Sequence, residues 1–174
     1  MEEKIYKGDS STSDSNITSE VSKIALGSHL PDMLVNTVYG TINLSFFKKH
    51  RLLLYFYPKD DTPGCTIQAN DFTEYHQEFL NADTQIVGIS RDSISSHKKF
   101  STKFKLSINL ISDETEELCK LFEVIKKKNM YGKVVFGIER SSFLFNKEGF
   151  LIKEWRKVSP AGHAKEVLEF IKQE

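Results

Sequence analysis

Six consecutive apolar residues, Leu52-Leu-Leu-Tyr-Phe-Tyr57, run directly into Pro58-Lys-Asp-Asp-Thr-Pro-Gly-Cys65-Thr66. A short, aromatic-rich apolar run reads as a strand buried on both faces. Asp61 or Thr62 followed by Pro63 reads as a helix N-cap with proline in the first turn, where its missing N–H costs nothing. The mixed pattern from Thr66 to about Phe79 or Leu80 continues as a helix. The cysteine therefore lies in the first turn of a helix that leaves the end of a buried strand. Unpaired backbone N–H groups and the positive end of the helix dipole meet there, and both favour a thiolate.

The rest of the chain fits around this unit. Leu34-Val35 and Ile42-Asn43-Leu44 flank Tyr39-Gly40 as a hairpin. Gln85 to Ser90 is a second buried strand, followed by a helix from about Ile94 to Phe104. Asn109 to Ser112 is a short strand and Glu114 to Phe122 a short helix, while Val124 to Gly137 reads as a long loop. Ser142 to Asn146, Lys147-Glu-Gly149 and Phe150 to Arg156 read as strand, turn and strand. Pro160 opens a last helix with Val167, Leu168, Phe170 and Ile171 on its core face. Alternating strands and helices closed by a hairpin and a helix make an α/β fold.

Residues 1–22 carry the polar run Asp9-Ser-Ser-Thr-Ser-Asp-Ser-Asn16, which cannot bury enough apolar surface to offset ordering entropy. They are expected to form a flexible arm, with the globular domain over 23–174. Formal net charge is zero and charges of both signs are interspersed, which leaves no footprint for nucleic acid or for a polybasic membrane anchor. Lys126-Lys-Lys128 reads as a solvated loop or helix end. There is no membrane-length apolar run and no signal-peptide pattern, so the sequence predicts a cytoplasmic protein. Two cysteines do not make a disulfide framework, and in a reducing compartment a helix-start thiol is more often redox-active than structural.

Tyr55-Phe-Tyr-Pro-Lys-Asp-Asp-Thr-Pro-Gly-Cys-Thr66 resembles the active-site segment of the peroxiredoxins, more narrowly the bacterioferritin-comigratory (PrxQ-type) subfamily. Gly88-Ile-Ser-Arg-Asp-Ser93, Ser96-His97, Leu110-Ile-Ser-Asp113, Met130-Tyr-Gly-Lys133, Gly137-Ile-Glu-Arg-Ser141, Trp155-Arg-Lys-Val158 and Gly162-His-Ala164 agree with it. The resemblance implies a thioredoxin-like fold with the peroxiredoxin N-terminal extension. It also implies a thiol-dependent peroxidase, of the thioredoxin-dependent type, that reduces hydrogen peroxide and organic hydroperoxides through a cysteine sulfenic acid. Cys65 becomes the peroxide-attacking residue. Thr62 becomes its hydroxyl partner, a role the same side chain can combine with N-capping. Pro58 shields the thiolate, and Gly64 with neighbouring N–H groups leaves room for the peroxide. Arg140 is the cation. A thiol with an ordinary pKa of about 8.5 needs about 3.4 kcal/mol to reach about 6, more than the ~0.3–2 kcal/mol of a helix start, so a cation is required. A planar guanidinium suits a thiolate and a peroxide together, and Glu139 is the residue expected to orient it.

The chain departs from the subfamily where a resolving cysteine would stand: Asn70 and Ser101 occupy those positions. Cys119 is the remaining thiol. Its neighbours Leu118, Leu121, Phe122 and Ile125 make a helical apolar face, which favours a core filler over a resolving residue. The expectation is a one-cysteine enzyme reduced by an external thiol such as thioredoxin, glutaredoxin or glutathione, as a monomer or weak dimer. No cofactor or metal is expected. Arg91 and Arg156 read as structural or surface groups, and His97 and His163 as helix-end or surface groups. A redox sensor that passes its sulfenate to a partner protein is the alternative. A thioredoxin-type exchange protein is disfavoured by the lack of a C-x-x-C pair.

Overall fold

The computed structural model describes residues 23–174; the expected N-terminal arm, 1–22, lies outside them. The strands are β1 (Leu34–Thr37), β2 (Gly40–Asn43), β3 (Arg51–Phe56), β4 (Thr84–Ser90), β5 (Asn109–Ser112), β6 (Ile125–Met130), β7 (Lys133–Ile138), β8 (Ser141–Phe145) and β9 (Leu151–Trp155). The helices are α1 (Pro63–Glu74), α2 (His76–Asn81), α3 (Ile94–Phe104), α4 (Glu117–Leu121) and α5 (His163–Lys172). Seven strands form one sheet in the order β2-β1-β5-β4-β3-β8-β9, with β3, β4 and β5 parallel. This is a thioredoxin-like α/β fold.

Central β3 explains why its sequence is apolar throughout. Successive side chains of a strand point to opposite faces. Leu52, Leu54 and Phe56 join a core with Leu118, Cys119, Leu121 and Phe122. Leu53, Tyr55 and Tyr57 join a second core on the other face with Cys65, Phe72, Phe100 and the buried face of α5. Gly88 lies opposite Tyr55 in the β3–β4 register, and a Cβ there would stand 2.8 Å from the tyrosine ring, so glycine makes room for the ring.

Four expectations are corrected. The helix after Cys65 is two helices: Tyr75, at φ −88° and ψ 1°, breaks it after Glu74. The break lets Phe72 and Phe79 enter the same core with their rings 5.9 Å apart. The expected loop 124–137 is the hairpin β6–β7, closed by Tyr131 and Gly132 at φ 52° and 77°. Two positive φ values are what a tight hairpin turn needs, and Tyr-Gly is a weaker signal for it than Asn-Gly. The last helix starts at His163, after Gly162 at φ 82°, and not at Pro160. Finally, His97 and His163 stand in the first turns of α3 and α5, as the helix-end alternative has it, but are buried and not surface groups. Among the described residues no helix is long and apolar enough to cross a membrane.

Candidate active site

The parallel strands β3, β4 and β5 end at the same edge of the sheet, and α1 starts there. The ladder continues one residue past β3, where Tyr57 N–H donates to the Ile89 carbonyl at 3.0 Å. Pro58 has no N–H to extend it, and the chain bends away. Pro63 opens α1, which makes Cys65 the third residue of the helix. The Cys65 side chain is 2% exposed. Backbone N–H groups of this first turn have no acceptor within the helix. Thr62 does not take them either: its hydroxyl donates to the Lys59 carbonyl at 2.8 Å and makes no capping bond. That corrects the N-capping expectation. It leaves the first-turn donors free for an incoming oxygen, and the Thr62 lone pairs free for the thiol proton or the substrate.

Arg140 reaches the site from a position 75 residues away, just before β8. Its Nη2 donates to Cys65 Sγ at 3.4 Å, and its Nη1 donates to Gln68 Oε1 at 2.7 Å. The expected partner Glu139 makes no side-chain hydrogen bond or ion pair with Arg140 among the described residues. It lends its backbone instead, with N–H on the Val124 carbonyl at 2.7 Å and C=O accepting from Ser141 at 3.0 Å. Gln68 is the orienting residue that sequence reasoning missed. Its signal was its position one helical turn after Cys65, on the same face. The guanidinium passes over Gly64, where a Cβ would stand 3.2 Å from Nη2 and 3.2 Å from the Pro160 ring. Glycine there lets the cation and Pro160 close over the thiol. The expected Gly64, Cys65 and Arg140 thus lie together, Thr62 and Pro58 border them in sequence, and Gln68 and Pro160 complete the group.

Two aromatic hydroxyls lie beneath. Tyr55 stacks on Phe72 with ring centroids 4.6 Å apart, and its hydroxyl is buried with no partner among the described residues. Burial raises its pKa far above the ordinary range, and the charges of Cys65 and Asp60 add to the effect. It therefore stays protonated. Tyr57, also raised chiefly by burial, donates to Asp60 Oδ1 at 2.6 Å. Asp60 Oδ2 accepts from Ser96 at 2.8 Å and meets His97 Nδ1 at 2.7 Å. His97 Nε2 faces the Ile111 carbonyl at 2.9 Å. Both ring nitrogens face oxygens, which fixes the orientation of the buried imidazole. Asp92 accepts from the Asp60 backbone at 3.0 Å, tying in the loop after β4.

Asp60, Asp92 and His97 bring three ligand-type atoms within 4.8 Å of one another. Their oxygens already accept from Tyr57, Ser96, Ser90 and a backbone N–H, and both imidazole nitrogens are engaged. The donor set is that of a closed hydrogen-bond network and does not suit a cation. On the other side of the site His163 sits between Ser142, with Nε2 to Oγ 2.7 Å, and Glu166, with Nδ1 to Oε2 3.2 Å. Burial lowers its pKa from the ordinary value against the opposing pull of Glu166. A neutral ring with Nδ1–H toward Glu166 and Nε2 accepting from Ser142 satisfies both contacts.

The second thiol is elsewhere. Cys119 is fully buried in the core on the opposite face of the sheet from Cys65. Burial, with the Asp113 carboxylate next, raises its pKa far above the ordinary range. Arg91 pairs with Glu116 at 3.1 Å and also donates to the Phe136 carbonyl; Arg156 donates to the Phe122 and Glu123 carbonyls. These two arginines are structural.

The chain is similar to known proteins over most of its length. Residues 26–154 match the model of the AhpC/TSA family. A peroxiredoxin Bcp of Xanthomonas campestris is 53% identical over 123 residues, covering 71% of this chain and 77% of that protein. A peroxiredoxin Bcp of Bacillus subtilis is 45% identical over 150 residues, covering 86% and 96%. A solved structure of the Xanthomonas campestris bacterioferritin comigratory protein, studied for its alkyl peroxide reduction activity, superposes with a TM-score of 0.80 at 45% identity, covering 86% of this chain and 98% of that one. With a buried helix-start thiol under an arginine and relatives of this kind, the chain belongs to the AhpC/TSA family as a thiol peroxidase of the Bcp (PrxQ) type.

Proposed function

We propose that this peroxiredoxin reduces hydrogen peroxide and organic hydroperoxides in a one-cysteine cycle at Cys65. The observation that carries the site is the Arg140 fork, one nitrogen on Sγ and the other on Gln68. A guanidinium fixed there stabilises the thiolate and, as the O–O bond breaks, the charge on the leaving oxygen. The thiolate attacks one peroxide oxygen, the O–O bond breaks, and the second oxygen leaves as alkoxide or hydroxide and takes up a proton. Cys65 is left as sulfenic acid. Thr62 passes the thiol proton or holds the peroxide, Gly64 and the first-turn N–H groups cradle it, and Pro58 keeps water off the sulfur.

An external thiol then displaces hydroxide from the sulfenic acid as water, forming a mixed disulfide, and a second thiol releases Cys65. Thioredoxin, glutaredoxin and glutathione have that chemistry. The burial of Cys119 across the sheet from Cys65 supports external resolution. Unpaired thiols fit a reducing compartment such as the cytoplasm. We take the protein to work as a monomer or weak dimer.

Intact mass spectrometry after one equivalent of peroxide tests the cycle. The wild type gains one oxygen, Cys65→Ser gains none, and Cys119→Ser turns over like wild type with an external thiol. An internal Cys65–Cys119 disulfide, or loss of turnover in Cys119→Ser, ends the one-cysteine reading.

A further inference from the structure

The hairpin β6–β7 belongs to neither core beyond its base. Ile138 is buried, while Met130, Tyr131, Val134, Val135 and Phe136 are exposed, Tyr131 at the turn completely so. Lys126, Lys127, Lys128 and Lys133 lie among them, and the segment 125–138 holds no acidic residue. Lys128 reaches back to the Ile138 carbonyl at 3.4 Å, and Lys126 lies near Glu123 and helps hold its carboxyl low; Lys127 and Lys133 have no acidic partner among the described residues. The whole chain has zero formal charge, and the sequence showed no membrane footprint; the hairpin pairing changes that locally by bringing Lys133 to the same ribbon as Lys126, Lys127 and Lys128.

We propose that the hairpin is a peripheral docking element for an anionic lipid bilayer. The register places Lys127, Phe136 and Val134 on one face and Lys128, Val135, Met130 and Lys133 on the other. Exposed apolar and cationic groups therefore stand on both faces and at the turn. A flat protein surface covers one face of a ribbon and leaves the other wet. A bilayer interface surrounds the tip on both sides, with apolar groups among acyl chains and lysines snorkelling to phosphates. A second copy of the chain brings four more lysines against these four, which repels. The two-stranded ribbon has open edges, and their unpaired backbone groups hold it at headgroup depth and prevent spanning.

The hairpin leaves the sheet at the edge where β3, β4 and β5 end, and only Glu139 separates its last residue, Ile138, from Arg140. Docking thus brings the peroxidase site to the membrane surface.

Co-sedimentation of the full chain with vesicles tests the docking without any turnover. At about 0.05 M salt the protein sediments with phosphatidylcholine vesicles containing about 30% phosphatidylserine, and at least about tenfold less with pure phosphatidylcholine or at about 0.5 M salt. Lys126→Gln, Lys127→Gln and Lys133→Gln together remove the salt-sensitive binding, and Tyr131→Ser with Phe136→Ser removes the rest. Both variants keep wild-type turnover of soluble hydrogen peroxide, which shows the fold intact. Equal sedimentation with neutral and anionic vesicles, no sedimentation, or unaltered binding by both variants overturns the proposal.

Discussion

Replacing Gln68 with Met separates the position of Arg140 from its charge. Gln68 is fully buried; its Oε1 accepts from Arg140 at 2.7 Å, and its Nε2 is buried without a partner among the described residues. A hydrogen bond to a charged group contributes about 1.5–3 kcal/mol, and an unsatisfied buried donor costs about 1–3 kcal/mol. Methionine has nearly the same volume and removes both. The two effects oppose each other, so global stability changes by only about 1 kcal/mol, or about 2–4 °C in melting temperature for a chain of this size. Activity does not share that cancellation. The guanidinium loses the contact that aims it at Sγ, and about 1.5–3 kcal/mol corresponds to roughly a 10- to 150-fold slower reaction with peroxide. Stopped-flow fluorescence with hydrogen peroxide measures the rate, and thermal melting gives the stability. A variant within about threefold of wild type refutes the idea that Gln68 positions Arg140. A drop of several kcal/mol in stability with an unchanged rate makes Gln68 a packing residue only.

Arg140→Met removes the cation itself, so both iodoacetamide alkylation at neutral pH and peroxide reduction slow, the latter more and by roughly tenfold or greater, since charge on the leaving oxygen also loses its partner; unchanged rates remove Arg140 from the site. Asn70→Cys places a second thiol on the exposed side of α1. Residues five apart on a helix have Cα atoms roughly 8.6 Å apart, beyond the ~7 Å limit of a disulfide, so peroxide yields an internal Cys65 disulfide only by unwinding the first turns. Peptide mapping under non-reducing conditions checks this, and a lasting sulfenate beside a free thiol shows that the helix resists unwinding. His163, with its native pKa lowered by burial, makes stability fall as pH drops. Below about 6.5 the unfolded chain takes up a proton that the native ring refuses, down to the lowered native value. Urea midpoints at about pH 7.5 and 5.5 therefore diverge more in the wild type than in His163→Gln, and equal divergence refutes the assignment.

The strand–helix unit around Cys65 was readable because local signals coincide there: an apolar run, a proline at the helix start and a thiol just inside it. Gly64 was readable as a point of close approach, although that the approaching groups are Arg140 and Pro160 is a tertiary fact. Gln68 was invisible because a buried amide and an exposed one look alike in a polar-apolar pattern. His97 and His163 were misplaced for the same reason: a partner such as Asp60 or Ser142 lies far away in the chain and turns a polar residue into an interior one. The hairpin β6–β7 hid because its residues do not alternate between wet and buried faces, which is the pattern by which strands are recognised. Both of its faces are exposed.

The network at Asp60 has a consequence for how the enzyme is made. It joins Tyr57 and Asp60 to Ser96, His97 and Ile111, on segments that must find one another across as many as 54 residues. Closing loops of that length is entropically slow and waits for the sheet to assemble. The segment leading to Cys65 therefore sets late, after β3, β4 and β5 have come into register. A chain released early or stalled on the way carries its thiol on an unformed loop, without Arg140 over it. Activity in a nascent or refolding population thus appears with the last step of folding, and partly folded chains are silent toward peroxide.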